Sequence, residues 1–407
     1  MLNHNEEYYN ILSGEVVMYK INVLNNISAK GLEILTEQGC DLNDHTQPEG
    51  IILRSHSMHD MVIPDSLLAV ARAGAGVNNI PVAKLADLGI PVFNTPGANA
   101  NAVKELILAG MLLACRNIPQ AWEFLKSLSG DNEAIHKAVE SKKKQFSGFE
   151  LPGKTLAVIG LGAIGVEVAN AAAALGMRVL GYDPAVTVQR AWQLSASVRQ
   201  ASTIEAAVAK ADFITIHVPY NDKTKHLINA KILSAMNSQA ILLNFSRAEI
   251  VEESALLTAL TQENLQTYVC DFPSLDLLNH PQVMCLPHLG ASTREAEENC
   301  AIMAATSLCD YLQNGHIKHS VNFPDVNMPH NGHCRLAIAN SNQPNMVGQI
   351  STALAQADLN IVDMINKSRA DVAYTLLDID RAVPAQVLKV IEKIEGVLKL
   401  RMIKADG

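Results

Sequence analysis

The 407-residue chain is poor in aromatic side chains, at 4%, and carries no excess of basic ones, since 32 Lys and Arg stand against 41 Asp and Glu for a net charge of −9. Stacking platforms for single strands and a broad cationic face for duplexes are therefore excluded, and no nucleic-acid partner is expected. Any anionic ligand must be held by a few local cations or by helix ends. The seven cysteines, at 40, 115, 270, 285, 300, 309 and 334, are odd in number and form no C-x-x-C pair. That spacing argues against a disulfide framework and a structural zinc site, so reduced cytoplasmic thiols and no metal are expected. No uninterrupted apolar run approaches the roughly 18 residues that cross a bilayer, and the longest, 106–115, has the length of a buried helix. The opening MLNHNEEYYN is acidic and lacks the basic and apolar regions of a secretory leader, so neither export nor a membrane partner is expected.

What is present is ordinary globular composition, 48% hydrophobic and 18% charged. At about 150 residues per domain, the length predicts two or three domains. From Val16 to about Pro96, short apolar segments alternate with helical ones: VVMYKINVL, SAKGLEILTEQG, IILRS, LLAVARAG, VAKLADLG and IPVFNTPG. Such alternation reads as a parallel α/β sheet. After a long helix and a polar stretch at 127–153, a second series of about six strands runs through TLAVIG, MRVLGYD, DFITIHVP, AILLNF, QTYVCDF and VMCLPH. The fold class is thus α/β, with two doubly wound, Rossmann-like parallel sheets in tandem. Residues 1–100 form the first domain, completed by about 293–325, and residues 101–292 form the second. SVNFPDVNMPHNGH reads as a linker at about 322–333. Beyond it, 333–407 has the order βαββαβ of a ferredoxin-like domain.

Gly160, Gly162 and Gly165 make G-x-G-x-x-G directly after an apolar strand and at the start of an Ala-rich helix, and Asp183 closes the next strand about 20 residues on. Gly160 permits the tight turn, Gly162 lets the backbone approach a pyrophosphate, and Gly165 lets helix and strand pack closely. With Ala163 and Ile164 they open a helix whose free N–H groups attract phosphate. Asp183 is suited to the adenosine ribose hydroxyls and repels a 2′-phosphate, so NAD is the expected cofactor. GAGVNN at 74–79 lacks the third glycine and is no second nucleotide loop.

Polar residues at the C-terminal ends of strands in the second series are the catalytic candidates, because ligands bind there in open parallel sheets. Arg247, just after AILLNFS, suits a carboxylate through two parallel N–H···O bonds. His288, in CLPHLG, can exchange a proton with an alcohol, as hydride transfer from C–OH requires. Asp276 is a candidate partner for that imidazole.

GLGAIG with YDP, HVPYNDKTKHLI, LLNFSRAEIV, YVCDFP and PHLGASTREAEENCA together resemble the D-2-hydroxyacid dehydrogenase family, and the likeness covers nearly the whole chain. It implies that Arg247 binds the substrate carboxylate and that His288 is the acid–base. It further implies that Asp271 contacts the nicotinamide carboxamide and that His217, Pro219 and Thr224 line the adenine and nicotinamide side. The family pairs the His with a Glu. DFPSLDLLN offers Asp276 there instead, one methylene shorter.

Substrate choice is expected from the first domain. Arg54, Ser55 and His56 supply three donors for a phosphate, and Gly76, Val77 and Asn78 supply backbone N–H groups for a carboxylate. These suit a short phosphorylated 2-hydroxy acid, with Arg72 and Lys142, Lys143 and Lys144 as further cations. The terminal domain resembles an ACT domain, a regulatory unit that binds amino acids in related proteins. There Asn340, Asn342 and Asn360 could hold the ammonium and carboxylate of serine. A homodimer or homotetramer is expected. Glyoxylate/hydroxypyruvate reductases and D-lactate dehydrogenases share the same core, and NAD-sensing corepressors of the family offer a non-catalytic alternative.

Overall fold

A computed structural model describes residues 18–404. Residues 1–17, where the expected first strand begins at Val16, and 405–407 lie outside the described residues. The described residues divide into two compact units, one drawn from 18–98 and 297–404 and the other from 99–296.

In the first unit, β1 (Ile21–Leu24), β2 (Gly50–Leu53), β3 (Ala69–Arg72) and β4 (Val92–Phe93) form a parallel sheet in that order. Every residue of β2 is buried, as expected of a strand covered on both faces. Adjacent registers pair Leu53 with Arg72, so the loops after β2 and β3 leave the sheet side by side.

In the second unit, β5 (Thr155–Ile159), β6 (Arg178–Tyr182), β7 (Arg199–Gln200), β8 (Phe213–Ile216), β9 (Ile241–Asn244), β10 (Thr267–Cys270) and β11 (Val283–Cys285) form one parallel sheet. Its order is β11-β10-β9-β8-β5-β6-β7. The sequence reading counted about six strands; the seventh, β7, is a two-residue exposed edge with no apolar run to announce it. The polar stretch holds a helix, Asn132–Lys142, whose N-terminus is capped by the Asp131 carboxylate accepting from the Ala134 N–H.

The C-terminal strands β12 (Cys334–Ser341), β13 (Ile361–Arg369), β14 (Val372–Ile379) and β15 (Val397–Lys404) form an antiparallel sheet in the order β13-β14-β12-β15. This sheet has two dry faces. Leu336 and Ile338 of β12 join the core beneath its own helices, while the intervening Ala337 and Ala339 join the core built on Ile21, Leu35 and Leu308. Small alanines on that second face allow close approach, and the structure accordingly counts the sheet within the first unit. The segment read as a linker is itself part of that core: Phe323, Val326 and Met328 are buried in it, and Val326 bridges back to Ile317. Its Pro, Asn and Gly content masked three apolar anchors.

Candidate functional site

The glycine loop follows from steric necessity. Gly160 has φ +95, and a Cβ there would lie 2.6 Å from the carbonyl oxygen of His217; one at Gly165 would lie 2.0 Å from the carbonyl oxygen of Gly160. At Gly162, by contrast, a Cβ would meet nothing within 4 Å. That glycine leaves open space before the first N–H groups of the helix Ala163–Ala174, which has no side-chain cap. Free donors, the positive helix end and clear space for an anion together fit a dinucleotide pyrophosphate. Asp183 closes β6 and accepts from the Leu161 and Ala185 N–H groups, each at 2.8 Å, which fixes its carboxylate over the loop.

The residues expected beside the nicotinamide are placed differently from one another. His217 hydrogen-bonds Thr215 Oγ1 through Nε2 at 2.9 Å, and burial pushes its pKa down to about 3, so the ring is neutral and committed to Thr215. What His217 offers the glycine loop is its backbone. Thr224 spends its hydroxyl on the Pro219 carbonyl at 2.6 Å and on the Asn221 N–H at 2.8 Å, which makes it a clamp of the 219–224 turn.

Asn244, buried at the end of β9, donates through Nδ2 to the Arg247 carbonyl at 2.9 Å, and its Oδ1 accepts from the Ser246 N–H at 3.1 Å. This side chain shapes the turn that presents Arg247 at the strand's C-terminal end. The spacing N-x-x-R thus encodes a clip as well as an anion anchor. Arg247 itself is exposed and donates to the Ser246 carbonyl at 2.6 Å. His288 is also exposed, with its ring edge-on to Phe272 at 4.8 Å between centroids.

Asp276 does not reach this group. Ser274 caps the short helix Leu275–Leu278 through Oγ, which accepts from the Leu277 N–H and donates to Glu253 at 2.9 Å. Burial of Leu277 then turns Asp276 outward, and among the described residues no hydrogen bond or ion pair joins it to His288. The carboxylate that lies with the site is Asp271. It is 1% exposed, and both of its oxygens lack a hydrogen-bond partner. Burial raises its pKa, opposed by the charges of His288 and Arg247.

In the first unit, Asn79 joins the two candidate segments: its Nδ2 donates to the carbonyls of Arg54 (3.2 Å) and His56 (2.7 Å), while its Oδ1 accepts from Arg72 Nε at 3.2 Å. Sequence reading passed over Asn79 in favour of its neighbours Gly76, Val77 and Asn78. Arg54 is ion-paired to Glu297 at 2.8 Å. Burial raises the pKa of the Cys300 thiol, and the charges of Arg72 and Arg54 both act against that rise.

The three asparagines of the C-terminal domain do not converge within one chain. Asn340 pairs with Ala373 and Asn342 donates to the Ala370 carbonyl, at one end of the sheet. Asn360 takes its N–H to Asp380 at the other end, because β12 and β13 both run antiparallel to β14 and so start together. Eight residues at about 3.3 Å each separate the two ends. Asn340 is 1% exposed and its Oδ1 has no partner.

Comparison with known proteins identifies the family. The family described as D-isomer specific 2-hydroxyacid dehydrogenase, NAD binding domain, matches residues 108–290. A D-3-phosphoglycerate dehydrogenase of Escherichia coli (strain K12) is 31% identical over 368 residues, covering 87% of this chain and 86% of the relative. One from Methanocaldococcus jannaschii is 37% identical over 268 residues, 64% of this chain and 49% of its own. The solved structure of NAD+-bound 3-phosphoglycerate dehydrogenase from Entamoeba histolytica aligns with a TM-score of 0.59 at 25% identity, covering 75% of this chain and 99% of that one. The chain belongs to the D-isomer-specific 2-hydroxyacid dehydrogenase family. NAD is the cofactor that its glycine loop and Asp183 fit. Among the described residues no helix is long and apolar enough to cross a membrane.

Proposed function

We propose that this chain oxidises 3-phosphoglycerate to 3-phosphohydroxypyruvate with NAD, or runs the reverse reduction, as the first step of serine synthesis in the cytoplasm. The observation that carries the reading is that an exposed guanidinium and an exposed imidazole follow the C-terminal ends of β9 and β11 in the sheet that also holds the glycine loop. Relatives bearing the phosphoglycerate dehydrogenase name extend over most of the chain.

Arg247 takes the substrate carboxylate through parallel N–H···O bonds and so fixes the orientation of C2. His288 accepts the hydroxyl proton during oxidation and returns it during reduction, a contribution of about 10²- to 10⁴-fold. NAD, when bound, supplies the acceptor for the hydride that leaves C2. Asp183 holds the ribose, and Asp271 accepts from the carboxamide.

Arg54, Ser55 and His56 are assigned to the phosphate, with the N–H groups of Gly76, Val77 and Asn78 as the second anion contact. Arg54 is ion-paired to Glu297, so phosphate would displace that carboxylate, which is partly exposed and returns to solvent. A serine effector is assigned to the Asn340 end of the C-terminal sheet, where a buried amide oxygen lacks a donor. A second copy of the chain is assigned to the apolar face that Ile118, Trp122 and Leu125 present at 45%, 60% and 50% exposure.

NADH oxidation measured in parallel with 3-phosphohydroxypyruvate, hydroxypyruvate, glyoxylate and pyruvate, with and without serine, tests the reading. The expected result is strong preference for the phosphorylated acid, and an R54A enzyme that raises KM for that acid alone. Similar rates on all four acids give the chain to the reductases of the family. NADH binding without turnover gives it to the non-catalytic sensors.

A further inference from the structure

We propose that Glu297 is a specificity-determining residue: its carboxylate competes with the substrate's phosphate for Arg54, so phosphorylated acids are held less tightly than the guanidinium alone would hold them. The inference rests on the assignment of Arg54 to the phosphate above and deepens it at the same site.

Helix periodicity brings Glu297 to Arg54. Within the helix Arg294–Asn314, Cys300, Ala304, Ala305 and Leu308 are buried in the core built on Ile21 and Leu35, and Ala301 is buried as well. Those spacings mark one stripe, and Glu297 precedes Cys300 by three positions and Ala301 by four, on the same face. A carboxylate thus stands where the stripe would otherwise continue with an apolar side chain. Arg54 is the first residue beyond β2, and its Nη1 lies 2.8 Å from Glu297 Oε1. Both side chains are partly exposed, so a ligand can reach the guanidinium from solvent.

The backbone beneath that carboxylate is fastened. A Cβ at Gly31 would fall 2.7 Å from Ala301 Cβ, and Lys30 is ion-paired to Glu298 at 2.6 Å, so the helix Arg294–Asn314 is pressed against the helix Ala29–Glu37. When phosphate arrives, Glu297 can turn only about its own side-chain bonds, and its charge stays within a side-chain length of the new anion. Breaking a partly exposed ion pair costs little by itself. The larger effect is the charge left behind, because a phosphate ester is close to dianionic at neutral pH, with a second pKa of about 6. Pre-orientation of Arg54 by Glu297 works in the other direction, but it is limited to the rotamer freedom of one side chain, and a neutral amide at 297 would keep an oxygen to provide it.

An acid without a phosphate makes no use of Arg54 and is indifferent to the charge beside it. Glu297 therefore acts on the difference between two substrates and not on both alike, and it narrows the gap between 3-phosphohydroxypyruvate and hydroxypyruvate. The preference shown by the unmutated chain is what remains after that penalty.

The experiment uses the full chain and compares the parent with E297Q, E297D, E297A and R54A, the smaller alanine guarding against misfit of the amide. KM is measured for 3-phosphohydroxypyruvate and for hydroxypyruvate, and inorganic phosphate is titrated as an inhibitor of hydroxypyruvate reduction. E297Q and E297A are expected to lower KM for the phosphorylated acid about tenfold and to tighten inhibition by inorganic phosphate by a similar factor. KM for hydroxypyruvate should move far less, and E297D, which keeps the charge, should stay near the parent. An E297Q enzyme whose KM for the phosphorylated acid is unchanged or raised overturns the proposal. A fall shared equally by hydroxypyruvate overturns it too, as does an E297D enzyme that behaves like E297Q, since the effect then lies in shape and not in charge. R54A that raises KM for the phosphorylated acid beside an unresponsive E297Q defeats this inference alone, whereas R54A that alters neither KM nor phosphate inhibition withdraws Arg54 from the phosphate and overturns the assignment beneath it. An unmutated chain that reduces neither acid overturns the dehydrogenase reading, and this inference with it.

Discussion

Arg335 and Asp378 form a two-pronged ion pair between β12 and β14, with Nε to Oδ1 at 2.7 Å and Nη2 to Oδ2 at 3.0 Å, and neither side chain is exposed. The remaining donors of Arg335 reach the carbonyls of Asn314 and Pro329, and Asp378 also accepts from the Asn331 N–H. The pair thus ties the C-terminal sheet to the end of the helix Arg294–Asn314 and to the strand-free segment after it. Removing one partner strands a buried charge. D378L is expected to cost about 3–5 kcal/mol of stability, whereas R335M/D378L together should cost much less than the sum of the single changes. Urea unfolding of the three variants checks this, and simple additivity would contradict it.

His316 sits beside that pair and gives the first unit a pH dependence. Its Nδ1 meets Asp310 Oδ1 at 2.9 Å, and that hydrogen bond raises the imidazole pKa above its ordinary value, against the opposing effect of burial and of the nearby Arg335 charge. The folded state therefore holds this proton more tightly than the unfolded chain does. The resulting stabilisation is complete below the unfolded pKa of about 6.5 and is lost as pH rises through the higher folded value. The stability gap between the parent and H316N should be wider at about pH 5.5 than at about pH 8.5. Thermal unfolding at the two pH values reads it; a gap that grows with pH would show that the sign is wrong.

Much of the fold was legible because parallel strands buried on both faces are written as short unbroken apolar runs, such as LAVI in β5 and ILL in β9. The glycine loop was legible for a different reason: a backbone that tolerates no Cβ at Gly160 and Gly165 leaves few other residues possible. What escaped depended on contacts far apart in the chain. The outward direction of Asp276 escaped because spacing says nothing of which way a capped four-residue helix will face, and Leu277 decides that by burying itself. Asn360 was grouped with Asn340 because each lies at a strand end, and only the strand order shows that they are opposite ends. Asn79 and Asn244 act through carbonyls three or more residues away, a role that no side-chain class advertises.

The helix Ile118–Ser127 carries Ile118, Trp122 and Leu125 one turn apart, on a face with large apolar exposure. Lys126 covers one side of the Trp122 ring with its ammonium 3.7 Å from the ring centroid. If a second copy covers the rest, a charge at the centre of the patch must be desolvated on association, at a cost of several kcal/mol. W122E is therefore expected to lower the oligomeric state seen by light scattering coupled to size exclusion. An unchanged assembly in W122E would move the interface elsewhere.

The last test separates folding from binding within one loop. An alanine Cβ at Gly165 would fall 2.0 Å from the Gly160 carbonyl oxygen, a backbone atom that can move only by shifting strand or helix, so G165A should lower both the melting temperature and NADH affinity. At Gly162 the backbone has φ −72, ordinary for alanine, and nothing of the protein lies within 4 Å of the added carbon. G162A should therefore melt within about 2 °C of the parent. Its Cβ instead occupies the space into which a pyrophosphate must come, so NADH affinity should fall about tenfold or more, equivalent to at least about 1.4 kcal/mol. Calorimetry for stability and fluorescence titration for binding read the two effects independently. A G162A protein that binds NADH as tightly as the parent would remove the phosphates from this loop, and the hydride acceptor from the mouth of the sheet.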